Sequence, residues 1–168
     1  MTPSDSAPEV ALGGEAGPVA DVERAMVHLR RSMTRHTIGR RMARDLDVPF
    51  DMALIGVVDA VAQGPDESGA EVTVGEVGER LGIDPSRASR VVSAAIEGGY
   101  VWRLASQADG RRSVLELTDT GRELVAAARR ARQGFFDQAM RGWPEEERRT
   151  FARLLGRFVD ALGEERPG

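Results

Sequence analysis

Apolar positions recur along this chain with helical spacing in six stretches and with strand-like spacing in one short pair. Over about 20–45, Val22, Met26, Leu29 and Met33 fall four, three and four residues apart, which puts them on one helical face. Arg30, Arg31, Arg35, Arg40, Arg41 and Arg44 fall mostly off that face. Over roughly 50–63, Met52, Leu54, Ile55, Val57, Val58 and Val61 go most of the way round, so this helix is expected to be buried. The polar stretch from Gly64 to Gly69, with Pro65, ends it.

Two helices then follow in quick succession. Thr73-Val74-Gly75-Glu76 reads as a capping box, in which the Thr hydroxyl accepts from the amide three residues on and the Glu side chain reaches back to the Thr amide. Val77 and Leu81 face inward and Gly82 stops the helix. Asp84 is a favoured N-cap, and Pro85 takes the first helical position, where no amide partner is lost. The fourth helix has Ala88, Val91, Val92, Ala95 and Ile96 on its inner face and Ser86, Arg87, Ser89, Arg90 and Ser93 on its outer face, and it ends at Gly98-Gly99. A turn of about three residues with a Gly sets two such helices at an angle.

Tyr100–Leu104 and Val114–Leu117 read as short strands joined by a turn that contains Asp109-Gly110-Arg111-Arg112. Thr118 caps a long helix to about 141, striped with Leu124, Ala128, Ala131, Phe135 and Ala139. Trp143-Pro144-Glu145-Glu146-Glu147 opens the last helix, whose stripe is Phe151, Leu154, Leu155, Phe158 and Leu162. The fold class expected is mainly α with a small β-hairpin wing: a winged helix-turn-helix flanked by long N- and C-terminal helices. In that arrangement one helix offers short polar and arginine side chains to a major groove, and the hairpin offers arginines to the flanking minor groove. The apolar stripes at the two ends lie outside the compact 50–117 unit and must be buried somewhere. A second copy of the chain is the simplest cover, and a dimer would read two half-sites.

Length and composition set bounds. A chain of 168 residues, 41% hydrophobic and 30% charged, can bury a core and is not disordered as a whole. No apolar run approaches the ~18 residues of a membrane span. Residues 1–20 are rich in Pro, Gly, Ala and acids without a basic start, so they read as a disordered arm and not a signal peptide. Cysteine is absent, which excludes disulfides and thiolate zinc sites and suits a cytoplasmic protein. The net charge of -4 looks wrong for a nucleic-acid binder until its distribution is read. Residues 84–112 carry five arginines against three acids, and residues 21–50 carry seven against four. A phosphate-facing patch needs local positive charge only.

These motifs together resemble the MarR family of bacterial transcriptional regulators over about 20–163. Asp109-Gly110-Arg111-Arg112 followed by Leu117-Thr118-Asp119-Thr120-Gly121 is similar to the family's wing motif, an Asp-x-Arg run and then Leu-Thr-x-x-Gly at the start of the fifth helix. Thr73–Val77 and Leu81-Gly82-Ile83 look like its approach to the helix-turn-helix. The sequence departs from the pattern at Ser93-Ala94-Ala95, at Gln107 and at Trp143. The resemblance implies a homodimer with interlocked first, fifth and sixth helices, a pseudo-palindromic double-stranded DNA operator and release by a small anionic or phenolic ligand. By the same analogy that ligand lies between the dimerisation and DNA-binding parts, near Met33, His36 and Arg40.

The DNA-binding residues expected are Ser86, Arg87, Ala88, Ser89, Arg90 and Ser93 on the recognition helix, with Arg111 and Arg112 on the wing. Arginine can grip guanine O6 and N7 with two bonds, and serine can bond bases or phosphates. Asp109 and Gly110 support the wing. Asp109 is either a turn former alone or, as the family implies, a buttress paired with arginine, and Arg112 is either a phosphate contact or solvent-facing. Trp102 reads as core or strand-face packing and not as a platform for bases. His28 and His36 sit ~12 Å apart on one helix, too far to share an ion, so neither metal nor cofactor is expected.

No phosphate loop, nucleophile elbow or nucleophile–base pair is present, so the chain does not read as an enzyme. The alternative of a different class is a winged-helix module that binds protein and not DNA. The expected organisation is an arm at 1–19, a dimerisation helix at 20–48, a DNA-binding domain at 49–118, dimerisation helices at 119–163 and a tail at 164–168.

Overall fold

Three side-chain caps and several glycines of positive φ mark the element boundaries in the computed structural model, which describes residues 17–34, 51–65, 71–106 and 112–163. Among these residues the order is α1 (Gly17–Thr34), α2 (Met52–Ala62), α3 (Val74–Leu81), α4 (Pro85–Glu97), β1 (Val101–Ala105), β2 (Ser113–Leu117), α5 (Asp119–Ala139) and α6 (Glu145–Gly163). The chain divides into two compact units, residues 1–53 and 54–168.

In the first unit, α1 begins three residues before the expected start, and residues 35–45 of the predicted helix lie outside the described residues. Val22, Met26 and Leu29, its predicted stripe, are exposed.

The second unit is built around α2. Val57, Val58 and Val61 meet Val77 of α3, Val92 and Ala95 of α4, Val101 of β1, Leu115 of β2 and Leu124 of α5 in one buried cluster. Small residues let the two helices of the helix-turn-helix close on each other: a Cβ added at Gly78 would stand 3.1 Å from the Ala88 methyl. Between them Gly82 adopts φ +61°, a left-handed conformation that costs other residues more, and its amide donates to Glu79 O at 3.0 Å.

Thr73 caps α3 as expected, accepting from Glu76 N at 3.2 Å. The returning half of the capping box is replaced. The Glu76 carboxylate instead accepts from Arg80 Nε at 2.8 Å, and Arg80 Nη1 donates to Ala60 O at 2.8 Å. That arginine ties α3 to the end of α2, a tertiary contact that outcompetes the local one.

β1 and β2 pair antiparallel in a two-stranded sheet, from Val101 opposite Leu117 to Ala105 opposite Ser113. Leu115 N donates to Val72 O at 2.8 Å on the other side of β2, so the residue before α3 flanks the sheet. Thr118 is the joint that fixes the hairpin and α5. Its hydroxyl donates to Gly99 O at 2.7 Å and accepts from Gly121 N at 2.9 Å, while its amide donates to Tyr100 O at 3.1 Å. Gly121 lies so close to β1 that an added Cβ would fall 2.1 Å from Tyr100 O. The Leu-Thr-x-x-Gly run therefore pins the start of α5 to the end of the recognition helix. Farther along, Arg132 of α5 makes a two-pronged ion pair with Asp59 of α2, at 2.6 and 3.0 Å. In α6 no residue is buried, and Phe151, Leu154, Leu155, Phe158, Val159 and Leu162 are all exposed. No helix among the described residues is long and apolar enough to cross a membrane.

Candidate nucleic-acid interface

Helix α4 starts where the sequence says it should. Asp84 Oδ1 accepts from Arg87 N at 2.9 Å, and Pro85 occupies the first turn. The helix then divides cleanly. Ala88, Val92 and Ala95 are buried, with Val91 and Ile96 half-buried beside them. Ser86, Arg87, Ser89 and Arg90 are exposed and Ser93 is half-buried at the boundary. Core packing on one side therefore fixes which side chains the other side presents.

One predicted contact residue falls on the wrong side. Ala88 is only 1% exposed. Its methyl is the surface on which Gly78 rests, so it sets the approach of α3 and α4 and has no free face for a groove.

Hydrogen bonding separates the arginines of this region. Arg80 is committed to Glu76 and Ala60. The guanidinium of Arg87 has no partner among the described residues, and that of Arg90 makes only a 3.4 Å contact to Ser86 O. On the hairpin, Arg112 is exposed and its side chain has no partner among the described residues, while its carbonyl accepts from Ser106 N at 2.9 Å and closes the loop end of the hairpin. Arg103 of β1 is also exposed and unpartnered among the described residues. The sequence reading passed over it. Strand parity puts Arg103 on the face of buried Val101, away from Trp102 and Leu104, so no signal in the sequence marked it as exposed.

Trp102 corrects another expectation. It is 58% exposed, on the strand face away from Val101, and so is not part of the core. Asp109, Gly110 and Arg111 lie outside the described residues, as do His36 and Arg40. Met33 falls within α1. Among the described residues no group of three or more His, Asp or Glu side chains is placed to hold a metal ion.

A helix-turn-helix followed at once by a two-stranded hairpin, with a polar arginine-bearing outer face on the second helix, defines a winged helix-turn-helix protein. Residues 55–112 match the MarR family. YxaD, an HTH-type transcriptional regulator of Bacillus subtilis, is 30% identical over 89 residues, a match spanning 53% of this chain and 62% of YxaD. An HTH-type transcriptional regulator of Mycobacterium tuberculosis is 27% identical over 152 residues, covering 89% of this chain and 97% of its own. Among solved structures, a MarR family protein from Bacillus stearothermophilus superposes with a TM-score of 0.71 at 16% identity, covering 87% of this chain and 96% of the other. FabT of Streptococcus pneumoniae, in complex with DNA, superposes with a TM-score of 0.64 at 17% identity, covering 84% and 98%. Residues 55–112 thus carry the MarR family match, and over most of its length the chain is similar to HTH-type transcriptional regulators.

Proposed function

We propose that this chain binds a pseudo-palindromic double-stranded DNA operator as a homodimer and represses by occupying it. The observation that carries the reading is the outer face of α4: Ser86, Arg87, Ser89 and Arg90 are exposed on a helix whose opposite face is locked into the core. Small hydroxyls and an uncommitted guanidinium let such a helix approach base edges closely. FabT, whose fold is similar, was solved with DNA, which favours duplex DNA as the ligand here as well. The exposed apolar faces of α1 and α6 favour the dimer, and the interlocked terminal helices would space two copies of α4 for two half-sites. On the wing, Arg111 is assigned to the minor groove, with Asp109 and Gly110 shaping its turn, and Arg112 to a phosphate. Arg103 joins Arg112 as a candidate phosphate contact.

Release by a small ligand belongs to the same reading. The resemblance puts an anionic or phenolic ligand near Met33, His36 and Arg40. A crevice between α2 and α5 is lined by Asp59, Gln63, Val125, Arg129 and Arg132, and with Arg132 paired to Asp59 it leaves Arg129 to meet an anion.

The test is a titration of duplexes selected from upstream regions of the source genome, repeated over a salt series. A DNA-binding regulator loses affinity linearly in log salt and prefers selected over random duplex. If no duplex binds even at low salt, the chain is a protein-interaction winged helix instead.

A further inference from the structure

Between the end of α2, the edge of β2 and the first turns of α5 lies a cavity of about 480 Å³. That volume falls in the range of sites that hold drug-sized ligands, ~300–1,000 Å³. Its wall is apolar: Val61, Val72, Val114, Leu115, Leu117 and Val125. Three charged side chains stand around it, Glu71, Glu116 and Arg122, and their hydrogen bonding decides what it can accept. Arg122 is committed, donating to Leu117 O at 2.7 Å and to Asp119 Oδ1 at 2.5 Å. Glu71 accepts from the Ser106 hydroxyl. Glu116 has no partner among the described residues. Among the described residues that line this apolar cavity, the one uncommitted charge is therefore negative.

Trp102 is directly opposite Glu116 in the hairpin register, and its indole is largely exposed. Directly opposed residues of an antiparallel pair have Cβ atoms about 5 Å apart. Trp102 itself lies outside the cavity lining, so the site rests on Glu116: a carboxylate at the lip of an apolar cavity is suited to an organic cation, because it attracts positive charge while the wall takes the apolar body.

We propose that this cavity binds a lipophilic organic cation, with Glu116 as its counter-ion. This goes beyond the DNA-binding reading and does not require it.

The experiment compares tetraphenylphosphonium with tetraphenylborate, two ions of the same shape and opposite charge, by calorimetric titration of the full chain without DNA. The phosphonium should bind saturably. Glu116→Gln, a change on an exposed strand position, should lower its affinity about two- to fivefold, the scale of one exposed ion pair, and leave the borate no weaker. Ala62→Trp, at the exposed rim of the cavity, should obstruct it and weaken both ions, with circular dichroism confirming the fold of each variant. Absence of saturable phosphonium binding overturns the proposal. So does an equal loss of both ions, or no loss of the phosphonium, in Glu116→Gln. Phosphonium binding untouched by Ala62→Trp would put the ion elsewhere and overturn it as well. None of these outcomes bears on operator binding, so failure here leaves the DNA reading standing.

Discussion

Helices α4 and α6 are both amphipathic, yet α4 buries Ala88, Val92 and Ala95 beneath its own chain whereas α6 leaves Phe151, Leu154, Leu155, Phe158, Val159 and Leu162 in solvent. The difference lies in side-chain size as much as in place. The inner face of α4 is alanine and valine, small enough for α3 to rest against it through Gly78. The α6 face is built from large residues, each worth about 1.5–3 kcal/mol on full burial. Six such residues could offset a substantial part of the ~4–15 kcal/mol that association costs. One helix spends its apolar face on positioning its polar one, and the other leaves its apolar face open, where the proposed dimer would cover it.

The sharpest break of that comparison puts charge on each apolar face in turn. Val92→Asp buries a carboxylate without a partner in the core and should unfold the second unit at every protein concentration. Leu155→Glu with Phe158→Glu should act through association: light scattering should show monomer, or aggregate, at concentrations where the parent is a dimer. A parent chain that is monomeric at micromolar concentration would remove the dimer from the proposed function.

A smaller effect is expected where the two regions are joined. Gly121→Ala places a methyl 2.1 Å from the backbone oxygen of Tyr100, and backbone cannot swing aside as a side-chain end can. The start of α5 must shift, at a cost of about 1–3 kcal/mol or more, read as a lower urea midpoint with unchanged slope. Wild-type stability in this variant would mean that α5 does not pack against β1 as described.

The parts of the molecule set by short-range hydrogen bonds were legible in the sequence. Thr73, Asp84 and Thr118 each bond an amide three residues on, Gly82 takes the left-handed turn, and these signals need nothing from elsewhere in the chain. Contacts across many residues were not legible. Glu76 has two local donors within reach, the Thr73 amide and Arg80 four residues on, and Arg80 is held in place by Ala60 O, 20 residues away from it. Ala88 was assigned to the groove and to the inner face at once, and only the packing of Gly78 separates them. The exposure of Trp102 depends on which strand face the core covers, which parity alone leaves open. The cavity beside Glu116 needs α2, β2 and α5 to be brought together, and no motif marks it.

On the polar side of the comparison, Arg87→Ala and Arg90→Ala should leave stability unchanged, since both side chains are exposed and outside the core. Each should cost ~1–3 kcal/mol on the selected operator and relax preference at one position per half-site. Competition binding against random duplex distinguishes the roles. Equal losses on both duplexes would reduce these arginines to phosphate contacts.

The smallest effect expected is at Arg112. Its carbonyl already closes the loop end of the hairpin on Ser106 N, so the backbone contribution survives any side-chain change. The guanidinium is exposed, has no partner among the described residues, and stands at the start of β2 where the wing returns to the body. If α4 fills the major groove as proposed, a side chain in that position reaches the sugar–phosphate backbone more readily than a base edge. Arg112→Ala should therefore weaken selected and random duplexes by the same factor and reduce the slope of log affinity against log salt by about 1 per wing. Arg87→Ala is expected to lose affinity mainly on the selected operator, so the two variants, measured over one salt series, separate positioning from reading. If Arg112→Ala instead loses affinity only on operators with A·T-rich flanks, the minor-groove contact assigned to Arg111 belongs to Arg112, and the wing enters the groove one residue later than proposed.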